Sequence, residues 1–359
     1  MQKPFVWDSY ADQPFPLEDR AYKRAHRWRN LPNILWTIFL GGLLLPLFYI
    51  ARLFFSAKKP SIHDFFGMGI NLDKEKNGID QRLLIDELGI EHLLIRFPLW
   101  EMEKLSQYVA FTERFRDKHI TLVLLPSRAH IEDEALLARD VGELFIAFAP
   151  TVEAYQVGNA INRTKWGFFS MGEYLRFFKT VRKIHRSMGQ KSALWGPNII
   201  DFEFYYAIHT LLSGVRFDGV SMQLYVDRRG SPRNRQWGLN LRGKIDLLYA
   251  IVQLSPQRSA PLYITEANWP RQNSAPYAPT SETECVDAAH YDAYMVDYFA
   301  LAWQSQKVER VYWHQLVAKG YGLVDETTGE KYSAFDALKT LISTAKAQNG
   351  ILPHPKGAL

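Results

Sequence analysis

The sequence has almost no cysteine: Cys285 is the only one in 359 residues. An intramolecular disulfide is therefore excluded, and cysteine usage leaves the compartment open. Metal-ligand spacing is missing as well. There is no His-Glu-x-x-His, and the ten histidines follow no ligand pattern, so neither a metal nor a cofactor is expected. No Gly-x-Ser-x-Gly elbow occurs, and no Gly-rich phosphate loop. Gly67-Met68-Gly69 runs into Ile70-Asn71-Leu72 without the third glycine of a dinucleotide fingerprint. Internal repeats and low-complexity tracts are also lacking.

Charge of one sign is scarce outside the N-terminus. Nine of the 43 Lys/Arg but four of the 38 Asp/Glu fall in residues 1–60, so the remainder balances at a net of zero. A duplex-binding surface needs a basic stripe on the folded domain, which excludes nucleic acid as the expected partner.

What is present begins with an uncharged run, Ile34 to Ala51. About 18 apolar residues can cross ~30 Å of hydrocarbon as a helix. Trp36 and Tyr49 lie near its ends, where amphipathic rings favour the headgroup layer. The run is longer than a signal-peptide core, and Pro46 sits badly in a buried soluble helix. Five basic residues precede it (Arg20, Lys23, Arg24, Arg27, Arg29) and three follow (Arg52, Lys58, Lys59). The positive-inside bias then makes residues 1–30 a cytoplasmic tail and 31–57 a transmembrane helix with its flank. The expected location is the inner (cytoplasmic) membrane as a single-pass protein, with the body on the periplasmic or extracytoplasmic side.

Residues 61–348 alternate short β-rich runs with longer amphipathic stretches, the pattern of a parallel sheet with helical crossovers. Expected strands are Phe65–Asn71, His92–Phe97, Ile120–Pro126, Ala154–Gly158, Ala193–Asn198, Asp218–Tyr225, Pro261–Glu266 and Arg310–Gln315. Eight such units fit an α/β fold of the (β/α)8 TIM-barrel type. Residues 349–359 read as a frayed tail.

A barrel builds its site where strands enter their following loops. Those positions carry Arg96, Asn159, Tyr225, Glu266 and Trp313. A carboxylate closing an apolar strand is costly unless paired, bonded or functional, which makes Glu266 the sharpest of the set. The set, in this order, resembles the clan of retaining (β/α)8 glycoside hydrolases, especially its bacterial polysaccharide-acting and β-xylosidase-like branches. That resemblance implies Glu266 as nucleophile and Asn159 as holder of a sugar hydroxyl. It implies Arg96 and Tyr225 as supports of the nucleophile, and Trp313 as a platform under the sugar.

Two positions depart from the clan. Gln223 stands where a His-x-Tyr pair is frequent, and Ala160 stands where the Asn-Glu pair carries its acid/base glutamate. A positioned general acid contributes typically about 10² to 10⁴ in rate. Three outcomes are open. Another carboxylate (Glu101, Asp201, Glu203 or Asp227) could donate the proton; the leaving group could need none; or the site could bind glycans without cleaving them. Arg228, Arg229, Arg233 and Arg235 crowd one strand-end loop, where guanidinium groups suit an anionic glycan, although a solvated loop explains them too. Trp166, Trp237 and Trp269 fall in strand-end loops as sugar-stacking or core residues. The expected protein is thus a membrane-anchored glycosidase or transglycosylase acting on an extracytoplasmic polysaccharide or glycolipid. The alternative is an inactive glycan-binding relative in polysaccharide or lipopolysaccharide biogenesis.

Overall fold

The computed structural model describes residues 5–8, 11–57, 60–226, 229–274 and 282–352. Lys58, Lys59, Asp227, Arg228 and residues 353–359 of the expected tail lie outside the described residues.

The chain opens with a strap. Strands β1 (Trp7–Asp8) and β2 (Gln13–Pro14) pair antiparallel around a tight turn, in which Asp12 takes the left-handed conformation (φ 49°). Helix α1 (Arg20–Arg29) follows, capped by Asp19. Helix α2 (Leu31–Ala51) comes next and is long and apolar enough to cross a membrane.

The body then alternates without exception: β3 (Phe66–Ile70), α3 (Gln81–Leu88), β4 (His92–Pro98), α4 (Leu105–Glu113), β5 (His119–Leu125). A short α5 (Arg128–Glu132) and α6 (Glu134–Phe148) lead to β6 (Val152–Val157), α7 (Met171–Ser187) and β7 (Ala193–Ile200). The rest is α8 (Phe204–Leu211), β8 (Gly219–Gln223), α9 (Leu241–Gln253), β9 (Leu262–Ala267), α10 (Ala288–Ser305), β10 (Arg310–Trp313) and α11 (Ser333–Ala347). Strands β3 to β10 pair in parallel and close, with β10 returning to β3. The expected eight-stranded barrel is therefore the observed one. Helix α3 and the strap are additions that the hydropathy pattern did not single out.

Alternation along each strand sorts the barrel into two cores. Leu94, Val123, Ala154, Trp195, Tyr263 and Tyr312 fill the interior, with Trp195 stacked on Tyr263 at 3.9 Å. The opposite faces pack against the helices in one larger cluster. Helix starts are fixed by side-chain caps: Asp80 for α3, Asp133 for α6, Ser170 for α7, Asn240 for α9 and Asp287 for α10. Each such cap satisfies backbone N–H groups that the first turn leaves open.

Helix α2 does not stand away from the barrel. One face packs along α8: Thr37 and His209 share a 2.7 Å hydrogen bond, and a Cβ on Gly41 would meet Tyr205 Cβ at 2.2 Å. Only glycine allows that approach. At the α1–α2 junction Ser170 Oγ donates to Asn30 Oδ1 (2.7 Å), and the Gly172 amide donates to Asn33 Oδ1 (2.9 Å). The other face, with Leu35, Phe39, Leu43, Leu47 and Ile50, is exposed at helical spacing and wholly apolar.

The segment before α2 also packs on the barrel: Asp12 is buried in its mouth, where Lys74 Nζ lies 3.0 Å from its carboxylate. Residues before and after α2 thus contact the same barrel in this structure.

Candidate active site

The strand ends surround a cavity of about 480 Å³ whose floor carries Glu266. The β8–β9 register shifts by one residue just here: Met222 faces Ile264, whereas Gln223 faces Glu266. Such a bulge re-aims a side chain, and it sets Glu266 beside Gln223. Three donors converge on the carboxylate. Oε2 accepts from Arg96 Nη2 (2.6 Å) and Gln223 Nε2 (2.8 Å), and Oε1 accepts from the Tyr225 hydroxyl. A carboxylate that only accepts is the form this cradle holds. Burial, with the neighbouring Glu266 charge, pushes the Tyr225 phenol well above its ordinary value, so it remains a donor.

An amide chain continues from there. Thr265 Oγ1 donates to Asn198 Oδ1 (2.8 Å), and Asn198 Nδ2 donates to Asn159 Oδ1 (2.9 Å). Gln223 Nε2 also donates to Asn159 Oδ1 (2.6 Å). With its oxygen doubly engaged, Asn159 is held rigidly at the cavity wall. Gln223, standing where the clan often has histidine, bridges Asn159 and Glu266 as a donor without titrating near neutral pH.

Four of the five expected site residues therefore meet: Arg96, Asn159, Tyr225 and Glu266. Trp313 does not. It is fully buried on the outer face of β10, 5.9 Å from Trp269, and its Nε1 donates to Tyr291 of α10 (3.0 Å). Strand alternation decides this: Tyr312 fills the barrel interior, so Trp313 must face the helices. His314, one residue on, reaches the cavity instead. Burial and the cations Arg96, Lys74 and Arg229 lower its pKa well below the usual range, keeping it neutral.

The Ala160 side is built differently. Ala160 is 1% exposed, takes a left-handed conformation (φ 39°) and belongs to the barrel's interior apolar cluster with Leu125 and Trp166. Trp7 of the strap and Trp100 pack against that cluster; the Trp7 ring lies 5.5 Å from Trp100 and 5.9 Å from Trp166. Rings thus crowd the side of the cleft where a glutamate at position 160 would start.

The substitute carboxylates divide. Asp201 and Glu203 line the cavity but clamp Arg163, at 2.6 and 2.7 Å. Glu101 pairs with Lys104 (3.0 Å) outside the cavity lining, and Asp227 is not among the described residues. Of the loop arginines, Arg229 lines the cavity, stacked 3.7 Å over the Tyr225 ring and donating to Asn268; Arg233 pairs with Asp297 (2.6 Å) instead. Trp166 lines the cavity, Trp269 is core, and Trp237 is exposed beside Tyr49.

Residues far from any strand end complete the site. Asp12 lies in the mouth, accepting from Gln315 Nε2 (2.6 Å) and Tyr321 (3.0 Å), while its backbone carbonyl accepts from Arg96 Nη1 (2.9 Å). Gln13 Oε1 accepts from Lys165 (2.5 Å). Burial pushes the Asp12 carboxyl up to about 6 against the pull of Lys74. Nothing in the sequence singled it out from Asp8, Glu18 and Asp19 nearby.

No family model matches the chain, and no curated protein matches its sequence. Solved structures do. A family 39 glycoside hydrolase from Bacteroides cellulosilyticus aligns at TM-score 0.59 and 14% identity, covering 80% of this chain and 64% of that one. The chain has the fold of the clan A glycoside hydrolases. A family 39 β-xylosidase from Caulobacter crescentus aligns at TM-score 0.57 and 16% identity over 80% of this chain and 73% of that one. A family 30 endoxylanase from Clostridium papyrosolvens aligns at TM-score 0.53 and 11% identity over 82% and 75%. This chain thus spans less than two thirds of the Bacteroides enzyme's length.

Proposed function

We propose that this clan A barrel is a membrane-associated, glycoside-hydrolase-like protein that binds a glycan in the Glu266 cavity. Glu266 serves as the nucleophile on glycosides whose leaving group departs without a proton. The observation carrying this reading is the triple clamp on Glu266 by Arg96, Gln223 and Tyr225, together with the apolar packing of Ala160. A clamped, acceptor-only carboxylate suits attack on an anomeric carbon. Asn159 is set to receive a sugar hydroxyl beside it. Glycoside hydrolase neighbours of the same fold, a β-xylosidase and an endoxylanase among them, support a glycan as the occupant. Arg229 and Lys165 in the lining favour an anionic one.

Membrane association rests on the exposed apolar face of α2, from Leu35 to Ile50. The helix would lie in one leaflet with the barrel against the surface, rather than cross.

The second reading, glycan binding without cleavage, is favoured by the buried Ala160. Aryl glycosides with activated leaving groups separate the two. Turnover accelerated by azide and abolished in Glu266→Ala supports the nucleophile. Saturable glycan binding with no turnover across a broad panel leaves the binding reading.

A further inference from the structure

Resting on the proposal that Glu266 acts without a proton donor, we infer that the ligand is a lipid phosphate-linked glycan, bound along a track that runs from the cavity to α2. Three openings adjoin one another. The cavity and a second groove share Arg163. That groove and an apolar trough along α2 share Ile34, Thr37 and Tyr206.

The chemistry changes in order along the track. The cavity is polar and lined by sugar-binding types. The middle groove carries Arg20, Lys23, Arg24 and Arg27 from one side of α1, and no carboxylate occurs among its lining residues. Arg163, on its inner rim, is paired with Asp201 and Glu203, and among the described residues the α1 cations Arg20, Lys23, Arg24 and Arg27 have no ion pair. The trough beyond, with Ile38, Leu45 and Tyr205 among its lining, is about 760 Å³ and almost wholly apolar. Saccharide, phosphate and hydrocarbon chain match these three segments in sequence, with the glycosyl phosphate bond at the Arg163 rim that the first two share. Guanidinium groups pair with phosphate through charge-assisted hydrogen bonds, and the trough opens beside the face offered to a bilayer.

This occupant also accounts for Ala160. When the carboxylate of Glu266 forms a bond to the anomeric carbon, the bond from that carbon to the phosphate oxygen breaks. The electron pair goes to the phosphate, and no proton moves. Water then attacks the same carbon, the Glu266 ester bond breaks, and the water proton passes to solvent or to the released phosphate. A general acid at position 160 has no role in the first step.

The test uses the full chain in neutral-lipid nanodiscs with farnesyl phosphate as probe. Farnesol, inorganic phosphate and phosphatidylglycerol vesicles serve as competitors. Saturable binding at least tenfold tighter than farnesol or phosphate is expected, with a loss of at least tenfold in Arg24→Glu/Arg27→Glu. Arg20→Glu, in the first turn of α1, should weaken binding in the same direction. Turnover of activated aryl glycosides should be unchanged in these variants. Equal binding of farnesol overturns the phosphate site. Equal competition by phosphatidylglycerol means that the groove reads only surface charge, and overturns the proposal too. A panel of farnesyl-phosphate sugars should release farnesyl phosphate in a Glu266-dependent way. If Glu266→Ala leaves aryl glycoside turnover unchanged while the groove variants lose farnesyl phosphate, the nucleophile reading fails and the lipid site stands.

Discussion

The two walls of the cleft are made of different material. The wall formed by β4, β8 and β9 is polar and converges on one carboxylate: Arg96, Gln223 and Tyr225 all donate to Glu266, and Gln223 reaches across to Asn159 at the end of β6. After β6, Ala160 is buried in an apolar cluster with Trp166, against which Trp7 and Trp100 pack, while Arg163 and Lys165 of the same loop line the cavity. A chain that had merely lost one glutamate would show a polar gap there. Here the space is filled, and partly by the chain's own N-terminus. The contrast is what the proposed attack on a sugar without a proton donor at position 160 rests on.

The largest effect expected from breaking the polar wall comes from Glu266→Ala. It leaves Arg96 buried without its ionic partner, a change that costs on the order of 3–5 kcal/mol. Urea unfolding should show a fall of that size in Glu266→Ala and a smaller one in Glu266→Gln, which keeps an acceptor for Arg96. Equal, small losses in both would mean that the clamp contributes little, and the contrast between the walls would weaken.

The apolar wall is probed by Ala160→Glu. Its left-handed backbone and 1% exposure leave no room for a longer side chain, so a loss of about 1–3 kcal/mol from overpacking is expected. Unactivated aryl glycosides should remain uncleaved. Adding Trp7→Ala should recover part of the stability, with a coupling of about 0.5–3 kcal/mol for residues sharing one cluster. A gain of about 10² to 10⁴ in turnover from Ala160→Glu alone is the size a positioned general acid supplies. That result would make the wall a simple vacancy and end the comparison.

The polar wall was legible in the sequence, because strand ends are local. A β-run such as Leu262–Ala267 announces its own last residues, and barrel closure then brings Arg96, Asn159, Tyr225 and Glu266 to one rim. Trp313 was misread for an equally local reason: strand-end position does not say which face a side chain takes. Tyr312 occupies the inside and sends its neighbour outward. The strap was not legible. Asp12 and Trp7 lie 54 and 59 residues before Phe66, where the first barrel strand begins, and no periodicity in residues 5–19 signals a partner. The packing of α2 on the barrel was not legible either. Residues Leu31–Ala51 satisfy every length and composition test for a span, and only the tertiary contacts of Asn30, Asn33, Thr37 and Asp12 reveal that both flanks stay together.

The smallest effect sharpens the strap's part in the comparison. Asp12 titrates at about 6 in the folded chain because it is buried, against an ordinary value of 3.8. Lys74, Arg96, Asp73, Tyr321 and Glu326 surround it or its lysine partner. A carboxyl raised on folding contributes stability that is fully present below the unfolded value and lost as pH rises through the folded one. The strap should therefore be held most tightly below about pH 4, and loosen progressively up to about pH 6 and just beyond. Limited proteolysis within residues 5–19, by proteases active across that range, should run faster at pH 7.5 than at pH 5 by on the order of tenfold. Asp12→Asn, which cannot ionise, should flatten the profile. A profile that stays steep in Asp12→Asn would assign the loosening to another group and detach the strap from the chemistry of the mouth.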